Sequence, residues 1–506
     1  MLSLDPHQFL KGLPLDYLTQ TFPILTYFSR DYTSIKPEDL HITDAVLEKI
    51  REYNKHIQAP PSVFENIERL AHSPAIVTGQ QPCLLTGPLF VIYKAFTAII
   101  LAERYDAVPI FWNASEDDDI SEVNHIWMIN QNLEKISLTL PDSPFVNISL
   151  TEDQITFLIE KITELTPPSE FREDILALIR RCSTDFSEMF SQLLTTLFSR
   201  YGLILVEPHI FSGFATPLFE QLIRHPVKAV ELIKKAGDSL EAAGYSRQIH
   251  KSPDSCSFYL TPHHTRLSVT YDGAFHTEET TYSQEELLLL LDDHPEWFSS
   301  TVISRPLVQD FLLPTLGYCA GPGEISYFAQ MKEVYSFFGL RQPYIIPRFG
   351  ATLLESKIQK VLDKYEITLV HLFNAEQTKK ILAKQDIEEV FSMQNHRIAD
   401  ILKELEKYMA SIDPNLKKTG AAARARISNE MKTLEDKTAT AVKTQSTIME
   451  RQITRASENV YPQQTLQERM LNIMQYLIRY DSLMEHLYDS FSTAQLGYHL
   501  LINVGV

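Results

Sequence analysis

Cysteines are few and scattered in this 506-residue sequence, which excludes the common structural uses of that residue. Cys83, Cys182, Cys256 and Cys319 form neither a CxxC pair nor a zinc-binding spacing. We therefore expect no metal site and no disulfide framework, as is usual in a reducing cytosol. No histidine is adjacent to Cys83 in the sequence, so we interpret this residue as a small apolar filler rather than a nucleophile.

Long apolar segments and an excess of positive charge are also missing. The first ten residues lack the basic start and the long apolar core of a signal peptide. The most apolar stretch, residues 89–102, contains Lys94 and is too short to span a bilayer. Lysine and arginine number 46 against 65 acidic residues, and the net charge of −19 argues against a nucleic-acid-binding surface. We expect a cytoplasmic protein without a membrane or nucleic-acid partner.

The residues that are present predict a folded α/β protein. A hydrophobic fraction of 44% is typical of a globular chain with a full core, and the length predicts two or three domains. Residues 75–78 and 108–114 are short apolar runs bounded by turn residues, as buried strands are. Between them, residues 89–102 form an apolar helix that Pro88 is suited to open. Strand, helix and strand in this order predict a right-handed parallel crossover.

The loops after these two strands are the first candidate site. Residues 79–87 are bounded by glycines, and residues 115–119 are acidic. Ligands gather beyond the carboxyl ends of parallel strands, where both loops lie. Free N–H groups at the start of the helix suit an anion. The loop matches neither GxGxxG nor GxxxxGK[ST], so a tight structural connection remains an equal alternative.

Two later segments resemble the first candidate site, since each combines a predicted strand with polar or glycine-rich residues beyond it. The run 201–208 predicts another buried strand that ends in Glu207 and Pro208. Farther on, Gly321 and Gly323 permit close approach of a ligand, ahead of a helix predicted over 325–338. The next predicted strand, residues 343–348, ends in an arginine. We interpret residues of about 130–200 and 245–305 as insertions in a core of residues 1–374.

The C-terminal third predicts a helical hairpin. Phe391, Ile398, Leu405 and Ile412 fall seven residues apart, and a second heptad helix is predicted over 421–458. Residues 413–415 separate the two helices, so we expect an antiparallel coiled-coil arm over 375–460, followed by a segment, 461–506, that returns to the core. A dimerisation arm is the favoured interpretation, and a hairpin packed on its own chain is the alternative.

Six motifs in order resemble the BshC family of cysteine ligases in bacillithiol biosynthesis. The motifs are Gly79-Gln80-Gln81 with Thr86-Gly87-Pro88-Leu89 and Lys94, Ala114-Ser115-Glu116-Asp117 with Asp119 and Glu122-Val123-Asn124-His125, Arg305-Pro306 with Gln309-Asp310 and Leu313-Pro314, Gly321-Pro322 with Glu324-Ile325 and Tyr327, Pro347-Arg348, and Gln467-Glu468-Arg469. The resemblance implies a Rossmann-like core similar to class I aminoacyl-tRNA synthetases, a homodimer through the coiled coil, and ligation of cysteine to glucosaminyl-malate. It also implies ATP as the activating cofactor, with Mg²⁺ as a companion.

The resemblance and the residue chemistry together predict three groups of site residues. The catalytic group is Glu116, Asp117, Asp119 and His125. The substrate-binding group is Gly79, Gln80, Gln81, Thr86, Gly87, Asn124, Gly321, Glu324 and Tyr327. The cofactor-binding group is Arg348, Gln467 and Arg469.

Each group also has a structural interpretation. Acidic loops are usually solvated, and histidines are often held by structural hydrogen bonds. Glu324 could serve only the helix dipole, and residues 467–469 could tie the tail to the core. For Lys94 we favour a side chain that extends along the helix surface to water.

Two residues depart from the family pattern. Cys83 stands where we expect glycine, and Asp118 where we expect histidine; His125 and Asp118 itself are the nearest replacements. The HIGH and KMSKS signatures of the synthetases are absent from the sequence. The alternatives are therefore another ligase or nucleotidyltransferase on the same core, with a different acceptor, or a coiled-coil binding protein without catalysis.

Overall fold

The chain folds into two compact units. The computed structural model describes residues 2–262, 265–382 and 387–505. One unit is Met1–Glu355 with Thr465–Val506, and the other is Ser356–Gln464. The division falls after Glu355, earlier in the chain than the boundary at residue 374 drawn from the sequence.

The strands of the described residues all belong to the first unit. They are β1 (Leu2–Leu4), β2 (Ala75–Gln80), β3 (Val108–Asn113), β4 (His125–Ile129), β5 (Leu133–Ser137), β6 (Ile204–Val206), β7 (Ser255–Leu260), β8 (Leu267–Tyr271), β9 (Phe275–His276), β10 (Thr281–Tyr282), β11 (Phe298–Ser300), β12 (Thr315–Ala320), β13 (Tyr344–Pro347), β14 (Gly350–Glu355) and β15 (His499–Val504).

The helices occur in both units, with α15 to α19 in the second. They are α1 (Leu13–Leu18), α2 (Asp44–His56), α3 (Pro61–Leu70), α4 (Leu89–Arg104), α5 (Ile120–Val123), α6 (Glu152–Leu165), α7 (Glu170–Arg181), α8 (Phe186–Leu197), α9 (Thr216–Arg224), α10 (Lys228–Ala242), α11 (Gln284–Asp293), α12 (Ser304–Leu312), α13 (Pro322–Phe328), α14 (Lys332–Phe337), α15 (Ser356–Tyr365), α16 (Leu369–Phe373), α17 (Ala375–Leu382), α18 (Ile387–Ile412), α19 (Leu416–Val460), α20 (Met474–Leu477) and α21 (Leu483–Ser492). Across the described ranges, none of these helices is long and apolar enough to cross a membrane.

A parallel sheet forms the centre of the first unit. Its strand order is β13-β12-β2-β3-β6, and every neighbouring pair is parallel. Side chains alternate between its faces: Phe111 and Leu205 pack into one apolar cluster, and Ile110 and Trp112 pack into another. Both faces are therefore covered, as parallel sheets require. The predicted strand–helix–strand crossover is confirmed by β2, α4 and β3.

Smaller sheets surround this centre. The predicted insertion at 245–305 supplies the antiparallel order β10-β9-β8-β7-β11, while β4 and β5 form a hairpin. β14 pairs in parallel with β15 from the C-terminal segment, and β1 pairs with β15 on its other side. Residues 465–506 therefore belong to the fold of the first unit.

Local patterns misplaced two helix features. The single helix predicted over 325–338 is divided into α13 and α14. Between them, the side-chain oxygen of Gln330 accepts hydrogen bonds from the backbone N–H groups of Gln248 (2.8 Å) and Ile249 (2.9 Å). Helix α4 begins at Leu89 rather than at Pro88. In both places the chain responds to contacts that sequence periodicity does not contain.

The second unit confirms the predicted hairpin. α18 and α19 pack against each other, and Arg424 forms an ion pair with Glu406 at 3.2 Å. Asp413 to Asn415 separate the helices, as predicted. α15, α16 and α17 also contact α19, so the unit is larger than a bare hairpin.

Candidate active site

The carboxyl ends of the parallel strands open into a cavity of about 680 Å³, here called the main cavity. Five parts of the chain line it: the loop after β2, the acidic loop after β3, Pro208 after β6, the end of β12 with α13, and the insertion with the start of α12. The lining residues that carry polar groups or close backbone contacts include Gly79, Gln80, Gln81, Glu116, Asp117, Asp118, Asp119, Glu122, Tyr259, Arg266, Ser300, Arg305, Tyr318, Gly323, Glu324 and Tyr327.

The loops after β2 and β3 meet directly. Gln81 donates a hydrogen bond from Nε2 to Asp117 Oδ2 at 2.7 Å. Gln80 and Asp117 therefore line one cavity above neighbouring strands, which is the arrangement that the sequence predicts. The chemical roles of these residues stay predictions.

Arg266, from the insertion, faces the acidic loop and was missed by sequence reasoning. Its Nη1 donates to Asp117 Oδ1 at 2.8 Å and to Asp118 Oδ1 at 2.9 Å, and its Nη2 donates to Ser300 O at 2.9 Å. The guanidinium carbon lies 4.0 Å from the centre of the Tyr259 ring. The acidic loop thus contacts a fixed cation, rather than water alone. In the part of the chain that the structure describes, no cluster of three or more histidine, cysteine or acidic side chains is arranged to hold a metal ion.

Lys94 is buried, so its interpretation as a surface side chain is wrong. Its Nζ donates to Gly79 O at 2.7 Å and to Gln80 Oε1 at 3.1 Å, and it lies 2.7 Å from Glu324 Oε2. Glu324 also accepts from the Gly321 N–H at 2.7 Å. Burial alone would raise the pKa of Glu324, but Lys94 and the Gly321 N–H outweigh it and hold that pKa below its ordinary value. Glu324 therefore joins the two glycine clusters as an ionised acceptor, beyond any effect on the helix dipole.

Arg305 is a second cation at the cavity wall. It donates from Nη2 to the Tyr327 hydroxyl, and its guanidinium carbon lies 5.6 Å from the centre of the Tyr318 ring. The sequence contained Arg305 in a family motif but gave no reason to place it beside Tyr327, because the two residues lie on different helices, α12 and α13, and are 22 residues apart.

Glu116 is a half-buried carboxyl with a shifted titration. Burial raises the pKa of its carboxyl to about 7, although the positive charge of Arg266 partly opposes this. The Ser300 N–H lies 3.5 Å from Glu116 Oε2. A carboxyl with a pKa near neutrality can both accept and release a proton at physiological pH, which is the property of a general base.

Glu116 also lines a neighbouring cavity of about 400 Å³. We call this second space the aromatic cavity, because Phe211, Phe219, Trp297 and Phe298 are among its lining residues. Pro208 and Ser300 line both cavities, as Glu116 does. The Glu116 carboxyl therefore lies at the boundary between the main cavity and the aromatic cavity.

His125 and Arg469 lie outside the main cavity. They line a third space of about 370 Å³, the side cavity, together with Gln80, Gln81 and Trp127. Burial lowers the pKa of His125, so this imidazole is neutral at pH 7. The structure separates His125 from the acids with which the sequence groups it, although the glutamines border both spaces.

Asn124 is held by a structural contact, since its Nδ2 donates to Leu138 O at 2.9 Å. Its Oδ1 lies 3.2 Å from His125 Nδ1. The structural interpretation of this Asn–His pair therefore fits the observed contacts.

The second half of the glycine-bounded loop is held by the C-terminal segment. Asn472 donates from Nδ2 to Leu85 O at 2.8 Å and to Gly87 O at 2.7 Å. The Leu89 N–H, at the start of α4, donates to Leu471 O at 2.9 Å. Thr86 is fully buried, with φ at 71°. The C-terminal segment therefore accepts a hydrogen bond from the first N–H group of α4, and an anion site at this helix start stays a prediction.

Arg348 and Gln467 are likewise engaged in the fold. Arg348 donates from Nη2 to Glu468 Oε1 at 2.6 Å and from Nη1 to Phe349 O at 2.8 Å. Gln467 accepts from the Leu353 N–H at 2.8 Å. These contacts match the structural alternative, in which residues 467–469 tie the tail to the core, and they leave Arg348 outside the main cavity.

These observations define the class of the protein: a Rossmann-like α/β fold with a polar cavity at the carboxyl edge of its sheet, followed in the chain by a helical hairpin unit. Residues 14–349 match the family model described as "Bacillithiol biosynthesis BshC, N-terminal Rossmann-like domain". Residues 351–503 match "Bacillithiol biosynthesis BshC, C-terminal coiled-coil domain". The chain belongs to the BshC family, and the resemblance predicted from its motifs is confirmed.

Curated relatives agree over most of the chain. A protein of Salinibacter ruber is 34% identical over 430 residues, which are 80% of this chain and 78% of that relative. A protein of Chloroherpeton thalassium is 32% identical over 497 residues, 91% of this chain and 88% of that relative. A protein of Chlorobium phaeobacteroides is 32% identical over 469 residues, 84% of this chain and 82% of that relative. Each of these relatives carries the description "Putative cysteine ligase BshC".

Proposed function

We propose that the chain is a cytoplasmic, ATP-dependent ligase that joins L-cysteine to glucosaminyl-malate in bacillithiol biosynthesis. Family membership and the description shared by its relatives support the ligase activity. The observation that carries the proposal is the main cavity, where Glu116, paired acids and Arg266 converge beyond the parallel strands. Ligands of Rossmann-like folds bind at this edge.

The residues of the main cavity fit both charges that such substrates bring. Asp117 and Asp118 are more than one-third exposed beside Arg266, so their carboxylates can accept further hydrogen bonds from an ammonium group. Arg266 and Arg305 line the same cavity, and guanidinium N–H groups suit phosphate or carboxylate oxygens. Acceptors for an amine and donors for an anion thus lie side by side.

Activation of the cysteine carboxylate is the chemistry that ATP supplies when bound. The protein then has to orient the amine, exclude water and take up the proton that the amine loses. Glu116 is placed and poised for proton uptake, and general-base catalysis of this kind contributes about 10²- to 10⁴-fold. Gln80 and Gln81 offer amide donors and acceptors to sugar hydroxyls.

The direct experiment combines purified protein with ATP, cysteine and glucosaminyl-malate and detects the thiol product by mass. We expect product from the native chain and none above background from Asp117→Asn. Asp106→Asn is the matched control, because Asp106 has a 96% exposed side chain far from the cavity loops and should leave the rate unchanged. ATP consumption with a different amine acceptor would favour the other ligases of this fold. Failure of the folded protein to bind ATP would favour a binding protein without catalysis.

We also propose a homodimer through the hairpin of the second unit. Large apolar side chains remain exposed along α18, at Ile401 (59%), Leu405 (52%), Tyr408 (66%) and Ile412 (64%). Leu405 and Ile412 belong to the predicted heptad seam, so a second copy of the same hairpin is the partner that would cover them.

Light scattering after gel filtration tests the dimer. Leu405→Arg combined with Ile412→Arg should give a monomer, while Glu404→Arg, which places the same charge on a polar exposed position, should not. A monomeric native chain would contradict this part of the proposal.

A further inference from the structure

A buried carboxylate lies beside the proposed site and is not used by it. Glu207 follows directly after β6, the strand next to β3 in the parallel sheet, and only 1% of Glu207 is exposed. Glu116 lies in the loop that follows β3. The two carboxylates therefore leave neighbouring strands at the same edge, one buried and one at the cavity boundary.

The contacts of Glu207 keep its carboxylate ionised. Its Oε1 accepts hydrogen bonds from the Tyr53 hydroxyl and, at 3.0 Å, from Asn113 Nδ2. Its Oε2 lies 3.3 Å from His209 Nδ1. Burial pushes the pKa of Glu207 upwards, but His209 and the hydroxyl donors outweigh it, and the pKa stays below its ordinary value. A buried charge is tolerated only when it is paired and hydrogen-bonded, as this one is.

His209 connects Glu207 to the candidate site. Its side chain is 43% exposed, and it lines the aromatic cavity together with Glu116. Burial by itself would lower the pKa of His209, yet the neighbouring Glu207 and, to a smaller extent, Glu116 raise it above the ordinary value. The contact with Glu207 uses Nδ1, so Nε2 is not engaged by that carboxylate.

We propose that His209, held by Glu207, is a positioning residue of the ligase site, whose imidazolium stabilises the carboxylate form of Glu116. This inference rests on the proposed function. In the reaction step, an N–H bond of the substrate ammonium breaks and its proton passes to Glu116. The freed amine then forms the C–N bond and loses a second proton to solvent, while the bond between the acyl carbon and the activating group derived from the nucleoside triphosphate breaks and that group leaves with the electron pair.

Other charges act on the same groups and limit the effect. Glu116 also faces Arg266 and the Ser300 N–H, and the acids that follow it in the loop repel its negative charge. Glu296 lines the aromatic cavity but is paired with His294 at 3.0 Å. Tyr53 faces Glu207 from α2. Since Arg266 remains when His209 is replaced, the loss of the imidazolium should shift the Glu116 titration without abolishing its ionisation.

The pH dependence of kcat/KM is the first readout. In the native enzyme the acid limb should follow Glu116, and in His209→Gln it should move to higher pH by about 0.5 to 1 unit, the lower part of the range for one nearby charge. Glu207→Gln should move it in the same direction, because His209 then loses its proton more readily. His294→Gln removes the other histidine paired with a glutamate at this cavity and should leave the limb in place. A uniform fall in rate with an unmoved limb in His209→Gln would overturn the proposal.

A titration of the histidine ring signals by NMR gives a second readout that requires no turnover. The His209 signal should titrate above the ordinary value of 6.5 in the native chain, and it should titrate lower in Glu207→Gln and in Glu116→Gln. Absence of both changes would refute the coupling itself. If the coupling is present but the chain makes no product, the proposed function fails and the proton-coupled pair stands.

Discussion

Two buried arginines of the first unit make nearly the same pairing and have different consequences. Arg348 pairs with Glu468, and the side chains of both are 5% exposed. Arg266 is 8% exposed, but its partners Asp117 and Asp118 are 36% and 39% exposed. The first pair, here called the closed pair, is almost fully buried, and the second, the open pair, presents its carboxylates to the main cavity.

The two pairs differ in whether their carboxylates can still bind a ligand. Glu468 also accepts from the Ala351 N–H at 3.0 Å, so its oxygens are committed to holding the C-terminal segment on the strands. The oxygens of Asp117 and Asp118 keep contact with solvent and can exchange it for a ligand. A cation–carboxylate pair therefore marks a site only when part of it faces open space.

The closed pair should dominate stability. We expect Glu468→Gln to lower the free energy of unfolding by about 3 to 5 kcal/mol, because it leaves the buried Arg348 charge uncompensated. Urea unfolding followed by circular dichroism measures the change. Glu485→Gln is the control: its partner Arg200 is 74% exposed, and an exposed pair contributes at most about 1 kcal/mol. Equal losses in the two variants would remove the distinction between closed and open pairs.

The same pair predicts a pH dependence. The folded-state pKa of Glu468 lies below the ordinary value of 4.5, so its contribution to stability is complete above that value and is lost as the pH falls through the folded pKa. The stability difference between the native chain and Glu468→Gln should accordingly shrink below pH 4.5. A difference that stays constant at acidic pH would contradict the assignment of an ionised Glu468.

The carboxylates that face the main cavity should have the largest effect on catalysis. Glu116→Gln is expected to lower the ligation rate by about 10²-fold or more, since the carboxylate that accepts the proton is gone. The melting temperature should not fall, because a neutral amide is no harder to bury than a carboxyl with a raised pKa. Product detection by mass and a thermal melt measure both effects. Glu134→Gln, on the exposed side of β5, should match the native rate.

Replacing Arg266, the arginine of the open pair, should have a smaller effect on catalysis. In Arg266→Gln the acids of the cavity lose their counter-charge, so we expect KM for an anionic substrate to rise about tenfold, the equivalent of one charge-assisted hydrogen bond. Arg247→Gln is a close match, because Arg247 also bridges two carboxylates, Asp238 and Glu241, each at 2.6 Å. That cluster lies outside the main cavity and its loss should leave KM alone. A rise in both variants would point to a general charge effect.

The smallest effect is expected at Cys83. Burial raises the pKa of its thiol to about 12 and that of the half-buried Cys182 thiol to about 11. At pH 8 iodoacetamide should therefore modify Cys182 before Cys83, and Cys83→Ser should change the rate by less than about threefold. Peptide mass analysis during labelling gives the order. Early modification of Cys83 together with loss of activity would restore it as a nucleophile.

The sequence predicted those parts of the molecule that depend on local pattern. The crossover from β2 through α4 to β3 follows from runs of a few apolar residues, and the hairpin follows from heptads. The site required contacts between distant residues, which no local pattern contains: Arg266 is 149 residues from Asp117, and Arg348 is 120 residues from Glu468. The burial of Lys94 was not predicted for the same reason, because its partner Glu324 follows a different strand, β12.

The most direct test of the account is a crystal structure of the protein soaked with cysteine and glucosaminyl-malate. We expect ligand density in the main cavity, with an amine within hydrogen-bond distance of Asp117 and a group of the acceptor, glucosaminyl-malate, near Glu116. Density confined to the side cavity or to the surface, with Gln81 still bonded to Asp117 and the main cavity unchanged, would contradict it.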